Sequence, residues 1–398
     1  MLYSTVGGLT LLLVLLLWVR TLSSALANFV CRYIARPFIF LIGHFTSLFA
    51  FSLFEFGIIL VVITAVVLLV LMIRALVHKK GAAVLKGLAV VLVCVMAVFD
   101  LYTLLVGFAY YRTPPPVPVS QREYEPQEVT AMVRYFAEDY NALAEKLPRD
   151  KSGNVIPPYT VHELSKLLQK EYKRLGSSYF YGYTPRSKAI TNSWVLTLEN
   201  ITGITFVPLA EPTVNRDIPP SDLPVTMAHE MAHAKGVMRE GDANFVAYYL
   251  LLSSNNDYLR YCAYFSVFYA ALSAVNANTN KKADYFAISA SMHPMISKES
   301  NNAYRFWTEK SAQPGLAGAI NRFTERVSEF MNDIFLKSNG ADNGSGSYSD
   351  KVTDGEISNP TPPTDTGEIF YDVTYSSVQK MFFAVYEERF QNSATEAF

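Results

Sequence analysis

HEMAHAKGVMREGDAN, residues 229–244, begins with an HExxH pattern that predicts both the fold and the chemistry of the chain. His229 and His233 are four positions apart, and on a helix that spacing projects both imidazoles from one face. Two imidazoles placed in this way can bind one zinc ion. Glu230 follows the first histidine directly, so its carboxylate is expected beside the open position of the metal, where it can accept a proton from a zinc-bound water.

A catalytic zinc site with a position left for water needs a third protein ligand. We predict Glu240, at the start of a second helix that follows a turn at Gly236, with Asp242 as the competing carboxylate. Glu240 is favoured because it shares a helix face with Asn244, one turn later. Asn244 is predicted to hydrogen-bond one of the metal ligands and so to orient it.

Three further residues are weaker candidates for stabilising an oxyanion. Tyr248 and Tyr261 are suggested by position alone, and burial in a core explains most tyrosines. His293, in the sequence SMHPM, is more typical of a turn. A five-residue HExxH pattern also arises by chance, but here a helix-capping sequence precedes it and carboxylates follow it.

The composition indicates that part of the chain lies in a membrane. Apolar residues make up 51% of the chain and charged residues only 17%, whereas about a quarter of a soluble domain is charged. Long apolar runs cover 2–19, 56–73 and 87–111, and each is long enough for a spanning helix. We therefore predict three transmembrane helices. The net charge of −1 gives no indication of nucleic acid as a partner.

Positive residues beside the helices predict the orientation. The connection between the second and third apolar runs carries Arg74, Lys79, Lys80 and Lys86 and is expected in the cytoplasm. The N-terminus is then cytoplasmic, and the chain after residue 111 is extracytoplasmic. Residues 37–54 are aromatic and apolar enough to lie along the membrane surface. The first run is alternatively a signal peptide, although no Lys or Arg precedes it.

The remaining sequence predicts an α+β, mainly helical domain. Residues 1–112 form the anchor, 113–125 a Pro-rich linker, and 126–398 the extracytoplasmic domain, with a flexible loop at 338–366. Residues 193–207 are rich in β-branched and aromatic residues and are predicted to form strands of a small sheet. Residues 258–275 are predicted to form a buried helix, because Arg260 and a polar flank argue against a fourth span.

The motif, with Glu240, Ala243 and Asn244 on the following helix, resembles the glutamate-type zincins, a group of HExxH zinc metallopeptidases. Residues 193–271 are similar, more specifically, to a bacterial family of membrane-anchored proteins of unknown function. The resemblance also includes FSLFE at 51–55, Tyr111-Arg112 at the exit from the last apolar run, and VPLAEPTVN at 207–215. It implies a zincin-like domain with an HExxH helix and with His229, His233 and Glu240 as zinc ligands. Lys235 departs from the pattern, since zinc-protease helices are usually apolar there.

These observations predict a membrane-anchored, Zn²⁺-dependent peptidase that hydrolyses peptide bonds outside the cytoplasm. Its partners would be the lipid bilayer and a peptide or protein substrate, which could pair with an edge strand in 203–215. The alternative is a sensor or scaffold that keeps the fold without chemistry. An intramembrane protease is not expected, because the motif is too rich in charged residues to span a bilayer.

Overall fold

The computed structural model describes residues 2–198, 200–279, 282–311 and 375–395, and this part of the chain is mainly helical. The loop predicted at 338–366 lies outside the described residues. The N-terminal helices are α1 (Leu2–Val19), α2 (Ser24–Val30), α3 (Arg36–Ser47), α4 (Leu53–Val77) and α5 (Gly81–Leu105). A π-helical turn, Cys31–Ala35, makes α2 and α3 one continuous helix, and a 3-10 turn, Gly107–Tyr111, follows α5.

The rest of the described chain forms a helical domain around a small sheet. Its helices are α6 (Pro126–Lys146), α7 (Val161–Leu175), α8 (Ser193–Leu198), α9 (Leu223–Ala234), α10 (Glu240–Leu252), α11 (Asp257–Thr279), α12 (Lys282–Ser291), α13 (Pro294–Ser311) and α14 (Tyr375–Thr395). Its strands are β1 (Lys188–Ala189), β2 (Gly203–Phe206) and β3 (Glu211–Val214). β3 lies in the centre, parallel to β1 and antiparallel to β2, so β2 is an edge strand of this sheet.

The structure contradicts one secondary-structure prediction in this domain and confirms another. The segment 193–198 was predicted as strand and is the short helix α8, so that prediction was wrong. Strand propensity is readily overridden by tertiary context, and here the Glu55 carboxylate accepts the backbone N–H groups of Thr191 and Asn192 just before the helix. The prediction of a buried helix at 258–275 is confirmed, since Leu259, Tyr264 and Phe268 of α11 are fully buried.

Four N-terminal segments are long and apolar enough to cross a membrane, and they mark the chain as a membrane protein. Leu2–Val19, Leu53–Val77 and Gly81–Tyr111 contain the three predicted runs. The fourth, Ser24–Ser47, is the continuous α2–α3 helix. It differs from the others because one of its faces is buried against the rest of the protein, through Ala27, Cys31, Ala35 and Ile39 among others.

Both ends of the α2–α3 helix contact residues that follow the last apolar helix, one in the linker and one in the domain. Near its start, the Asn28 side-chain amide donates to the Thr113 hydroxyl at 3.1 Å. At its end, the Tyr183 hydroxyl donates to the Ser47 hydroxyl at 2.8 Å. The helix therefore lies along the part of the protein that follows α5.

A buried ion pair joins the sheet to the start of α4. Lys188 in β1 pairs with Glu211 in β3, and their side chains are 1% and 0% exposed. Glu211 also accepts the N–H groups of Leu53 and Phe54, at 3.1 and 2.7 Å, and so caps the free N–H groups of the helix. Lys188 donates to the carbonyl oxygens of Thr46 and Phe51. We call these contacts the anchor joint.

The anchor joint predicts a large loss of stability for Lys188→Met. The substitution leaves the Glu211 carboxylate buried without its cation, which typically costs about 3–5 kcal/mol. We expect a corresponding decrease in the free energy of unfolding of the domain that follows α5, measured by urea titration with proteolysis in detergent. Arg305→Met is the matched control, because the Arg305–Glu309 pair is exposed and should contribute little. Equal effects of the two variants would contradict a stabilising role for the joint.

Candidate metal centre

Helix α9 places both histidines of the motif on one buried face. Pro224 lies in its first turn, where its missing N–H costs nothing, and the helix ends before Gly236, whose φ of 85° is left-handed. The rings of His229 and His233 stand edge to face with centroids 4.6 Å apart. The predicted helix and its predicted end at the glycine are both confirmed.

Glu240 closes the site from the first residue of α10. Its two carboxylate oxygens lie 3.1 Å from His229 Nε2 and 3.5 Å from His233 Nε2. One donor atom from each of the three residues lies within 4.8 Å of the others. Two imidazoles and one carboxylate are a donor set of catalytic zinc sites, so these residues fit a zinc ion. The Glu240 side chain remains 46% exposed, which leaves the cluster accessible.

A backbone carbonyl fixes the orientation of the second histidine. His233 Nδ1 lies 2.7 Å from the carbonyl oxygen of Val237. Because a carbonyl only accepts, the hydrogen is on Nδ1, and Nε2 is the nitrogen that faces Glu240. Metal-binding histidines are commonly held in this way through their other ring nitrogen. Sequence reasoning missed this contact, because no pattern identifies a carbonyl acceptor in a turn.

The charges of His233 and Glu240 stabilise each other. Burial disfavours the charged forms of His233 and Glu240, but their mutual attraction is stronger. It raises the pKa of His233 to about 9. The two histidines likewise hold the pKa of Glu240 below its usual range. The Glu240 carboxylate is therefore ionised at neutral pH, which is the form that binds a metal, whereas His233 is protonated and would release that proton when a metal binds.

Asp242, the competing third ligand, is committed elsewhere. Its carboxylate pairs with Arg239 at 2.5 Å, and both side chains are almost fully buried. Arg239 also donates to the carbonyl oxygen of Arg112 at 3.1 Å. The structure thus brings Glu240, and not Asp242, to the two histidines.

Glu230 lies beneath strand β2. The Thr205 hydroxyl is 2.7 Å from both the carbonyl oxygen and Oε2 of Glu230, and it can donate to either one. Burial raises the pKa of Glu230, and the neighbouring histidines only partly oppose this effect. A Cβ added to Gly203 would lie 2.6 Å from Glu230 Cγ, so only glycine fits there without displacing the carboxylate. No sequence pattern identified the contact between Thr205 and Glu230.

The remaining candidates lie in different surroundings. Asn244 and Tyr248 are buried on α10, one and two turns after Glu240. The Tyr261 hydroxyl donates to Glu299 at 2.6 Å and accepts from Arg149 at 2.8 Å, in a buried polar cluster. His293 directly precedes α13, and its Nδ1 accepts the N–H of Met295. The bonding of Tyr261 and His293 is structural, and for His293 it is the turn role that SMHPM indicates.

Arg112 and Lys235 support the turn between α9 and α10. Arg112, directly after the 3-10 turn, donates to the carbonyl oxygens of Gly236 and Tyr179 at 2.9 and 2.8 Å. Lys235, the departure from the usual apolar pattern, is buried and donates to Tyr181 and Thr184. Burial, with Arg36 nearby, lowers the pKa of Lys235 to about 7. Arg112, directly after the 3-10 turn that follows α5, thus helps to hold the connection between the helices of the candidate ligands.

Comparison with known proteins gives one family. No curated protein and no solved structure matches the chain. A family model described as "Protein of unknown function (DUF3810)" matches residues 31–353, which includes the α2–α3 helix from Cys31 onward, helices α4 and α5, and the three candidate metal ligands. Since the match covers most of the chain, this protein belongs to the DUF3810 family of proteins of unknown function.

Proposed function

We propose that this protein is a membrane-anchored zinc-dependent peptidase whose catalytic domain lies outside the cytoplasm. The observation that carries the proposal is the meeting of His229, His233 and Glu240 within 4.8 Å, with Glu230 next to the first histidine on the same helix. A structural zinc site would more often be closed and rich in cysteine. This cluster has no cysteine and is open on the Glu240 side.

The chain's own residues suit the hydrolysis of a peptide bond. A bound zinc ion would supply Lewis acidity, which lowers the pKa of water and polarises a carbonyl. Glu230 would take the proton of the attacking water and later deliver it to the leaving amine. Its raised pKa suits both steps, because an efficient proton carrier titrates near the working pH. Thr205 and Gly203 hold the Glu230 carboxylate in place.

Strand β2 is a suitable place for the substrate backbone. It is an edge strand of the sheet, it is only half-buried, and it lies directly over Glu230. An extended peptide can add to such an edge through main-chain hydrogen bonds. The backbone of the substrate would then run past the metal cluster.

We propose three membrane spans, α1, α4 and α5, with the N-terminus in the cytoplasm. The connection between α4 and α5 carries the positive residues typical of the cytoplasmic side. The α2–α3 helix is assigned to the outer surface, because both of its ends contact residues that follow α5.

The proposed ligand set predicts the metal content of the purified protein. We expect about one zinc ion per chain in the wild type and almost none in His233→Ala or Glu240→Ala, because two ligands bind zinc much more weakly than three. Elemental analysis after purification without chelators measures this directly. His162→Ala, on the exposed surface of α7, is the matched control and should keep its zinc. A wild-type protein without metal would remove the basis of the proposal.

The role of Glu230 predicts that Glu230→Gln retains zinc and loses turnover. A missing general base typically lowers rates about 10²–10⁴-fold. Mass spectrometry of a random-sequence peptide mixture incubated with each protein would measure cleavage. Retained cleavage by a folded, zinc-loaded Glu230→Gln would show that this carboxylate is not the base.

The close contact at Gly203 predicts a separate defect. Gly203→Ala pushes Glu230 aside, and misplacement of a catalytic group by about 1 Å can cost roughly 10²-fold in rate. We expect reduced cleavage at unchanged zinc content. Gly57→Ala is the matched control, because no described atom lies within 4 Å of the added Cβ. Equal activity of the two variants would show that Glu230 tolerates displacement.

A further inference from the structure

The α2–α3 helix presents an apolar face away from the protein. Phe29, Tyr33, Phe40, Leu41, Phe45 and Leu48 are each 50–79% exposed, while the opposite face is buried against the domain. Short connections join the two ends of the helix to α1 and α4. Both of those helices are apolar and exposed along their length. The outward face is therefore continuous with the lipid-facing surface of the spans and fits the bilayer surface.

Helix α8 lies beside the start of α4, close to the end of the α2–α3 helix. Glu55, in the first turn of α4, accepts the N–H groups of Thr191 and Asn192 and so holds the start of α8 beside the outer end of a span. Trp194 and Val195 on α8 are 59% and 40% exposed. Tryptophan is enriched where the hydrocarbon meets the headgroups, so these side chains fit a second contact with the bilayer surface.

The metal cluster lies one helix layer above this surface. Met238, between the histidine helix and Glu240, and Val207, just after β2, belong to the same buried cluster as Ala35 and Ile39 of the α2–α3 helix. Packed helices are separated by about 8–10 Å, so only one layer stands between the ligand turn and lipid.

Strand β2 runs between the two contact points with the bilayer. It begins shortly after α8 and ends at Phe206, whose ring stacks on Phe54 of α4 with centroids 5.2 Å apart. A peptide paired with β2 would therefore lie close to the membrane surface along its whole length.

We propose that the substrate is a polypeptide tethered to the same membrane and that it is cut within a few residues of its anchor. This inference rests on the proposed peptidase function and narrows its substrate class. A strand rises about 3.3 Å per residue, so a chain leaving the bilayer crosses a layer of about 10 Å in roughly three residues. A membrane-bound chain would then meet the metal cluster almost as soon as it leaves the lipid.

The first test measures the geometry without requiring activity. The full-length protein, with Trp18→Phe and Trp307→Phe so that Trp194 is the remaining tryptophan, is reconstituted in nanodiscs. Lipids brominated near the headgroup end of the acyl chain should quench the Trp194 emission, whereas acrylamide in the water should quench it weakly. Strong quenching by acrylamide and none by brominated lipid would overturn the proposed placement of the site.

The second test measures the substrate class with wild-type protein in the same nanodiscs. The probe is a random-sequence peptide mixture with or without a hexadecyl chain on its N-terminus, and mass spectrometry locates the cuts. We expect the tethered peptides to be cut at least tenfold faster, with cuts concentrated about 3–10 residues from the lipid. Glu230→Gln provides the background. The cut positions distinguish two explanations for faster cleavage. A metal cluster close to the lipid would concentrate the cuts near the tether, whereas a higher local concentration of peptide would speed cleavage along the whole tethered peptide.

The combined results distinguish the two proposals. Lipid quenching of Trp194 with cuts spread evenly, or with equal rates for free and tethered peptides, would overturn the substrate class and leave the peptidase function standing. Lipid quenching with neither form of the probe cut would overturn the peptidase function, and the substrate class would fall with it.

Discussion

The reversal of the chain between α9 and α10 is the constraint on which the metal cluster depends. Glu240 can reach both imidazoles only because the backbone turns back within the few residues after His233. Gly236 makes the reversal possible with a φ of 85°, a conformation that a side chain would oppose. A Cβ at this position would also lie 2.7 Å from the Arg112 guanidinium, which donates to the Gly236 carbonyl. The turn and the arginine therefore require each other.

This dependence connects the end of α5 to the residues of the candidate metal centre. Arg112 comes directly from the end of the last apolar helix, and its own carbonyl oxygen accepts from Arg239. Arg239 in turn holds Asp242 in the first turn of α10, next to Glu240. One short chain of hydrogen bonds thus runs from the membrane exit to the helix that carries the third candidate ligand. A displacement of the anchor relative to the domain would be expected to move Glu240.

Buried charges make this arrangement specific. An ion pair such as Lys188–Glu211 gains little net stability over apolar packing, because both charges must leave water. The pair nevertheless has a strict geometric requirement, because Glu211 must also accept hydrogen bonds from the N–H groups of Leu53 and Phe54. An alternative docking of the sheet on α4 would leave these charges unpaired in the interior. The joint therefore favours one position of the domain on its anchor.

The sequence was most informative where a function-bearing pattern is local. His229, Glu230 and His233 lie on one helix, and Glu240 begins the next helix after the reversal at Gly236, so helical geometry and the position of the glycine were enough to group them. Thr205, the Val237 carbonyl and Arg112 could not be predicted in this way. Each contacts its partner through a turn or through the packing of segments that are distant in sequence. Neither the residue type nor the periodicity of the sequence predicts such contacts. The wrong prediction for α8 has the same origin. Its residue types favour a strand, and the contact of the distant Glu55 with the backbone before the helix could not be predicted from them.

The α2–α3 helix shows why composition alone leaves the number of spans open. Its 24 residues are as apolar as a span requires, and at 1.5 Å per residue they extend about 36 Å, more than the roughly 30 Å of hydrocarbon. Had this helix crossed the bilayer, its ends would be on opposite sides of the membrane. Yet Asn28 and Ser47 both bond to residues that follow the last apolar helix. Since a folded domain cannot contact both faces of a bilayer at once, the contacts at the two ends, and not the hydropathy between them, favour a helix that lies along the surface.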